Sequence, residues 1–243
     1  MITVYTVITD NYDNLRPPAP CALEADVQFV CFTDRPRFTP PWQTQAFPQV
    51  FGVDARRNSR IPKCLPHLLL DTDYSMYLDG AYVLQAPPSH LIRDLLGDAD
   101  LAVFAHPTNK SIHDERNFYQ NLHGYVPADI EAEYQKYLAE ALPINGQFWA
   151  GGFLIRRHND QTARFNEIWM RSHLEGSSND QFSLYRAVVT GGVNVRSVPE
   201  YPHGGNRLWY ALHANSHCAD NPAFESENAR WDARIARIRE LCA

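Results

Sequence analysis

The chain has 243 residues, 44% of them hydrophobic and 21% charged, which suits one large folded domain and excludes global disorder. Its 22 basic and 28 acidic residues leave a net charge of -6, which argues against a nucleic-acid binder working through a broad basic surface. Five cysteines (Cys21, Cys31, Cys64, Cys218 and Cys242) include no CxxC pair. That disfavours a disulfide framework or a zinc site and favours a reducing compartment.

Residues 2–9 are apolar and β-branched and run into Asp10-Asn11-Tyr12-Asp13. They read as a buried strand leading into a polar loop, not as a secretory leader, because no basic stretch or small-residue cleavage site is present. No apolar run approaches the roughly 20 residues needed to span a bilayer, so a soluble cytoplasmic protein is expected. Residues 27–33 form a second strand, ending at Asp34, with a proline-rich loop after it. Residues 58–70 suit a helix capped by Asn58 or Ser59, with Pro62 in its first turn and a break at Pro66. A short strand at 75–78 stops at Asp79-Gly80. A helix starts at Pro87-Pro88-Ser89 and reaches about Leu96, and residues 100–105 make a strand ending at His106.

The apolar spacing over 128–142 predicts another helix. Residues 147–156 read as a strand broken by Gly151-Gly152. Asn159 and Ser178-Asn179 introduce two further helices, and Trp231, Ile235, Ile238 and Leu241 mark a last one within 222–243. Alternation of strands and helices predicts an α/β domain: a mostly parallel central sheet with helices on both faces. One domain over 1–243 is expected, with 107–146 as an inserted, acceptor-facing subregion.

Ligands in open α/β sheets bind at the carboxyl ends of strands. Four polar clusters fall there: Asp10–Asp13, Thr33-Asp34, Asp79-Gly80 and His106. Any one of them is ordinary turn chemistry; together they point to a site. Asp79 has the chemistry to hold a divalent metal against a departing diphosphate, and Gly80 permits close backbone approach. The Asp-x-Asp pattern is incomplete, because Ala81 stands third. The literal Asp71-Thr72-Asp73 precedes its strand and reads as a solvated loop.

Arg60 and Lys63 share one helix face and suit a pyrophosphate, or simply solvent. Asp180, beside Gln181, reads as a general base, as a sugar-hydroxyl acceptor, or as a first-turn acid answering the helix dipole. Gly151 and Gly152 invite close ligand approach. Trp42, Trp149, Tyr201 and Trp209 suit either an acceptor groove or the core. His203 is a candidate second metal ligand. HExxH, GxSxG, P-loop and GxGxxG patterns are all missing from the sequence, so the zinc-protease, serine-hydrolase, P-loop and dinucleotide readings lose their support.

The order of short motifs resembles a family of domains shared by plant mucilage-related and bacterial glycosyltransferase-like proteins, and more distantly the glycogenin-like glycosyltransferases. The matching pieces are Val4-Tyr5-Thr6 with Tyr12-Asp13, Phe29–Asp34, Arg60-Ile61-Pro62-Lys63, Tyr77-Leu78-Asp79-Gly80, and His106-Pro107 with Ser111-Ile112 and Glu115. They continue through Gly151-Gly152-Phe153 with Arg156-Arg157-His158, Phe165-Asn166 with Trp169, and Asn179–Ser183. The resemblance implies a GT-A fold and transfer of a sugar from a nucleotide sugar to an acceptor hydroxyl. Thr6, Asp10, Tyr12, Asp13 and Asp34 would then lie toward the nucleoside. Asp79 would sit at the diphosphate and a divalent metal, Mn²⁺ or Mg²⁺, for which His203 is the second ligand read from the residues, and Asp180 would face sugar and acceptor. A nucleotidyltransferase and a non-catalytic nucleotide- or sugar-binding module are the alternatives. The first lacks its glycine-rich basic loop after strand one, and Ala81 favours the second.

Overall fold

A computed structural model describes residues 1–35, 37–52, 54–199 and 232–242. Its sheet contains β1 (Ile2–Ile8), β2 (Val27–Thr33), β3 (Gln43–Gln45), β4 (Tyr74–Leu78), β5 (Leu101–Ala105), β6 (Trp149–Arg157) and β7 (Val195–Val198), in the spatial order β3-β2-β1-β4-β6-β5-β7. β6 runs antiparallel to both of its neighbours, and every other pairing is parallel. The α/β class and the mostly parallel sheet expected from the alternation are therefore observed.

The sheet is apolar on both sides, as parallel strands covered on two faces must be. Along β1, Tyr5 belongs to one buried cluster, while Val4 and Ile8 belong to the other. The first face is covered by α1 (Ala55–Cys64), α3 (Ile112–His123), α4 (Ala128–Ala139), α5 (Asp160–Glu175), α6 (Asp180–Thr190) and α7 (Asp232–Cys242), the second by α2 (Pro88–Leu91) with the π-helical turn that follows it. No helix among the described residues is long and apolar enough to cross a membrane.

Three expectations change. α1 begins at Ala55, a turn earlier than expected, because Asp54 caps it by accepting from the Arg57 amide at 2.9 Å. Asn58 instead bonds Phe51 and Gly52 and ties the preceding loop to the helix. Pro62 therefore lies in the last turn, and the chain leaves the helix before Pro66, whose ring disfavours a helical residue ahead of it. β6 is also not broken by its glycines. Val103 pairs with Leu154 and Phe104 with Ala150, so Gly151, Gly152 and Phe153 bulge away from β5 while the strand continues. Finally, β3, β7 and α3 join the expected elements. α3 has readable end signals, a Ser111 cap on the Asp114 amide and a left-handed Gly124.

Candidate functional site

A cleft of about 630 Å³ opens where the loops after β1 and β4, the β6 bulge, α1 and the start of α6 meet. Eleven of the residues singled out in the sequence line it: Asp10, Tyr12, Asp13, Arg60, Lys63, Asp79, Gly80, Gly151, Gly152, Asp180 and Gln181. Thr6 does not. It is buried within β1, and Thr9, just past the strand end, lines the cleft instead. Asp34 acts one layer back, because its carboxylate accepts the Asp10 amide at 2.9 Å. That bond helps hold Asp10 and Asn11 in the left-handed conformation, with φ of 52° at both, which turns the loop over the cleft. Asp71 and Asp73 lie on the exposed loop before β4, paired with Arg234 and the N-terminal amine. His106 receives the Asn109 amide rather than lining the cleft. Trp42 and Trp149 are buried core residues. His203, Tyr201 and Trp209 lie outside the described residues.

At the centre, Lys63 Nζ lies 2.7 Å from Asp180 Oδ2 and 3.5 Å from Asp79 Oδ1. Arg60 Nε approaches the same Asp180 oxygen at 3.3 Å as an ion pair. Burial alone would raise the Asp180 carboxyl, but Arg60 and Lys63 outweigh it and hold the group far below the usual carboxylate range. The Tyr77 hydroxyl donates to Asp79 Oδ1 at 2.6 Å, and burial, with Asp79 beside it, pushes that phenol well up.

Local chain chemistry places these groups. Asp180 is the first residue of α6, behind the Asn179 cap, where the helix dipole favours an anion. Lys63 sits in the last turn of α1, and its carbonyl accepts from the buried Arg156 guanidinium at 3.0 Å. Arg156 also donates to the Tyr5 hydroxyl at 2.7 Å and lies over the Trp169 ring.

The loop before Asp180 is braced from α3 and α4. Glu133 accepts from the Ser177 amide at 2.7 Å and from its hydroxyl, while Glu115 accepts from Asn179 Nδ2 at 2.9 Å and from Gln181. Both carboxylates are buried, and burial raises both. Gly176 has no room for a side chain, since a Cβ there would collide with Glu133. α3 and α4 thus buttress Asp180.

Sequence reasoning missed Arg56, Ser59, Tyr77 and Tyr82, all of which line the cleft. The signal for Arg56 was present: Arg56, Arg60 and Lys63 stand at i, i+4 and i+7, one stripe of a helix. Tyr77 was signalled by strand period, two residues before Asp79. The two bulge glycines differ. A Cβ on Gly152 would lie 2.9 Å from Asp79 Oδ2 and 3.1 Å from Tyr82, whereas one on Gly151 meets nothing nearer than 3.5 Å. Gly152→Ala should therefore displace Asp79 and weaken ligand binding roughly tenfold or more, with Gly151→Ala close to wild type. Parallel titrations of the two variants check this.

The described residues do not fit a divalent metal. They contain no group of three His, Cys, Asp or Glu side chains placed to hold one. One Asp79 oxygen already serves Tyr77 and Lys63, Asp180 is held by two cations, and position 81 is alanine.

An α/β sheet with a polar cleft at its strand ends is the setting of many ligand-binding enzymes. The chain belongs to a specific family: the model of the TOD1/MUCI70, glycosyltransferase-like domain matches residues 34–194. No curated protein matches the chain in a sequence search. Among solved structures, it is similar to the WbbM bifunctional glycosyltransferase in its apo form, at 12% identity and a TM-score of 0.48, over 82% of this chain. The match spans 38% of that protein's length.

Proposed function

We propose that this chain transfers a sugar from a nucleotide-sugar donor to an acceptor hydroxyl. The observation that carries the reading is the division of charge in the cleft. Its cations, Arg56, Arg60 and Lys63, all come from one stripe of α1, while Asp10, Asp13, Asp79 and Asp180 come from the loops and helix start around it. A nucleotide sugar has the matching pattern: an anionic diphosphate between two polyols. Guanidinium and ammonium groups meet the diphosphate, and carboxylates accept from ribose and sugar hydroxyls. Tyr12, 55% exposed on the cleft rim, offers a face for the base.

In the transfer, the bond from the anomeric carbon to the diphosphate oxygen breaks, and its electron pair leaves with that oxygen. The acceptor oxygen bonds to the same carbon. The proton lost by the acceptor hydroxyl passes to solvent, so the products are the glycoside, the nucleoside diphosphate with its added negative charge, and a proton. Arg60 and Lys63 stabilise that developing charge. Asp180 is a weak base, because two cations stabilise its ionised form. It serves here as the anchor of the cationic pair and as a hydroxyl acceptor, and this role replaces the base considered from sequence. Membership in a glycosyltransferase-like family supports the reading.

A thermal-shift series against UDP, GDP, ADP and CDP tests it. One nucleotide at about 100 times its dissociation constant should stabilise the protein by roughly 2.7 kcal/mol. A flat series across all four would sink the donor-site reading. A shift without any turnover of the matching nucleotide sugars would favour the non-catalytic module that Ala81 suggests.

A further inference from the structure

Where the two central carboxylates of the cleft converge, the Lys63 ammonium bridges them. We infer that Lys63 takes the position a divalent metal would occupy between Asp79 and Asp180, so that the donor diphosphate is met by Lys63 and Arg60 and binding requires no metal. The inference rests on the donor-site reading above and goes beyond it, since that reading is compatible with or without a metal.

Four observations converge. The ammonium bridges the carboxylates, at 2.7 Å from Asp180 Oδ2 and 3.5 Å from Asp79 Oδ1. It is fixed there: the Lys63 side chain is 6% exposed, its Nζ lies 5.0 Å from the centre of the Tyr77 ring, and Arg156 holds its carbonyl. A divalent ion drawn to the same two oxygens, at the usual 2.0–2.6 Å, would stand against this ammonium at short range, where like charges repel strongly. Ala81 withholds the further carboxylate that would outbid the lysine.

An ammonium has three donors. The two carboxylates use two, and the third is available to a phosphate oxygen in the cleft that Lys63 lines. Arg60, on the same stripe, supplies a second cation. Removing the lysine side chain should expose the two carboxylates to each other and turn them into a metal site.

The test uses the full chain with UDP, GDP, ADP and CDP as probes, titrated in EDTA and in Mn²⁺, for wild type and Lys63→Ala. Free Mn²⁺ is followed by its electron paramagnetic resonance signal in separate titrations of each protein without nucleotide, because nucleoside diphosphates chelate Mn²⁺ themselves. Wild type should bind its nucleoside diphosphate equally in both media and leave the Mn²⁺ signal intact. Lys63→Ala should lose roughly tenfold or more in affinity in EDTA, recover with Mn²⁺, and quench the signal. Wild-type binding that vanishes in EDTA and returns with Mn²⁺ overturns the inference while leaving the donor site standing. Binding of no nucleotide in either medium removes the donor site, and the inference with it. Should Lys63→Ala fail to fold, the wild-type comparison still decides.

Discussion

Replacing Asp180 with alanine is expected to cost about 3 kcal/mol of folding stability, the scale seen when one partner of a buried ion pair is removed. The side chain is 15% exposed and its partners Lys63 and Arg60 are 6% and 17% exposed. The substitution would leave two cations facing each other across a small gap with little water to screen them. Asp79→Ala should behave differently. That carboxylate is 43% exposed, so its loss should cost about 1 kcal/mol or less while still weakening ligand binding. Urea unfolding of the two variants separates the cases, and equal midpoints for both would contradict the account.

The Asp180 contribution also has a defined pH window. Its folded-state pKa lies below the unfolded value of about 3.9, so the stabilisation is fully present above that value. It is lost only as the pH falls through the folded pKa. Between pH 5 and 8, this pair adds no pH dependence.

Mild acid should act through three histidines instead. Burial first, with Arg156 beside His67 and His158, lowers His67, His158 and His173 to about 4. In the unfolded chain they titrate near 6.5, at roughly that reference value. Between these values the unfolded state binds more protons than the folded state, so stability falls as the pH drops from about 6.5 toward 4. Each histidine should remove about 2 kcal/mol between pH 7 and pH 5, and the three together about 6 kcal/mol. That is a large share of the 5–15 kcal/mol that ordinary domains have. Urea midpoints at pH 7, 6 and 5 measure the slope. His158→Gln, which keeps a hydrogen-bonding group near Ser75 Oγ, 2.9 Å from His158 Nε2, should flatten it by about a third. A midpoint that does not move between pH 7 and 5 would show that these rings are not buried as neutral groups.

The parts of the fold legible in the sequence were those with strong local patterning. β1 and β2 are continuous apolar, β-branched runs, and α5 and α6 announce themselves through Asn159 and Asn179, whose side chains do accept from Thr162 and Gln181. β3 and β7 carry three and four residues, too few for a period to show, and their existence depends on a neighbouring strand edge. α3 exposes much of its surface, with Phe118 and Leu122 outward, so it lacks the apolar stripe that reveals a helix. Its capping residues were the only signal.

In the site, the strand-end rule found Asp10, Asp13 and Asp79, because the end of a parallel strand fixes where its next residues point. It put Asp34 in the cleft, when its carboxylate instead shapes the turn that carries Asp10, and Thr6, which came from the resemblance, lies three positions before the Thr9 that lines the cleft. The Lys63–Asp180 contact spans 117 positions of chain, and no spacing in the sequence contains it. The same holds for Glu115 and Glu133, which reach the Asp180 loop from α3 and α4. Long-range ion pairs are products of the packed sheet, and they decide the electrostatics here.

The central claim is that the charge-divided cleft binds and activates a nucleotide sugar. The most direct measurement is release of nucleoside diphosphate from a panel of nucleotide sugars by the purified full chain, compared with Asp79→Ala. The account predicts that wild type releases it from one donor class and that the variant falls by roughly tenfold or more, the scale of losing a charged group that accepts donor hydroxyls and holds Lys63. Equal release by both proteins, or none from any donor that the protein binds, would contradict it.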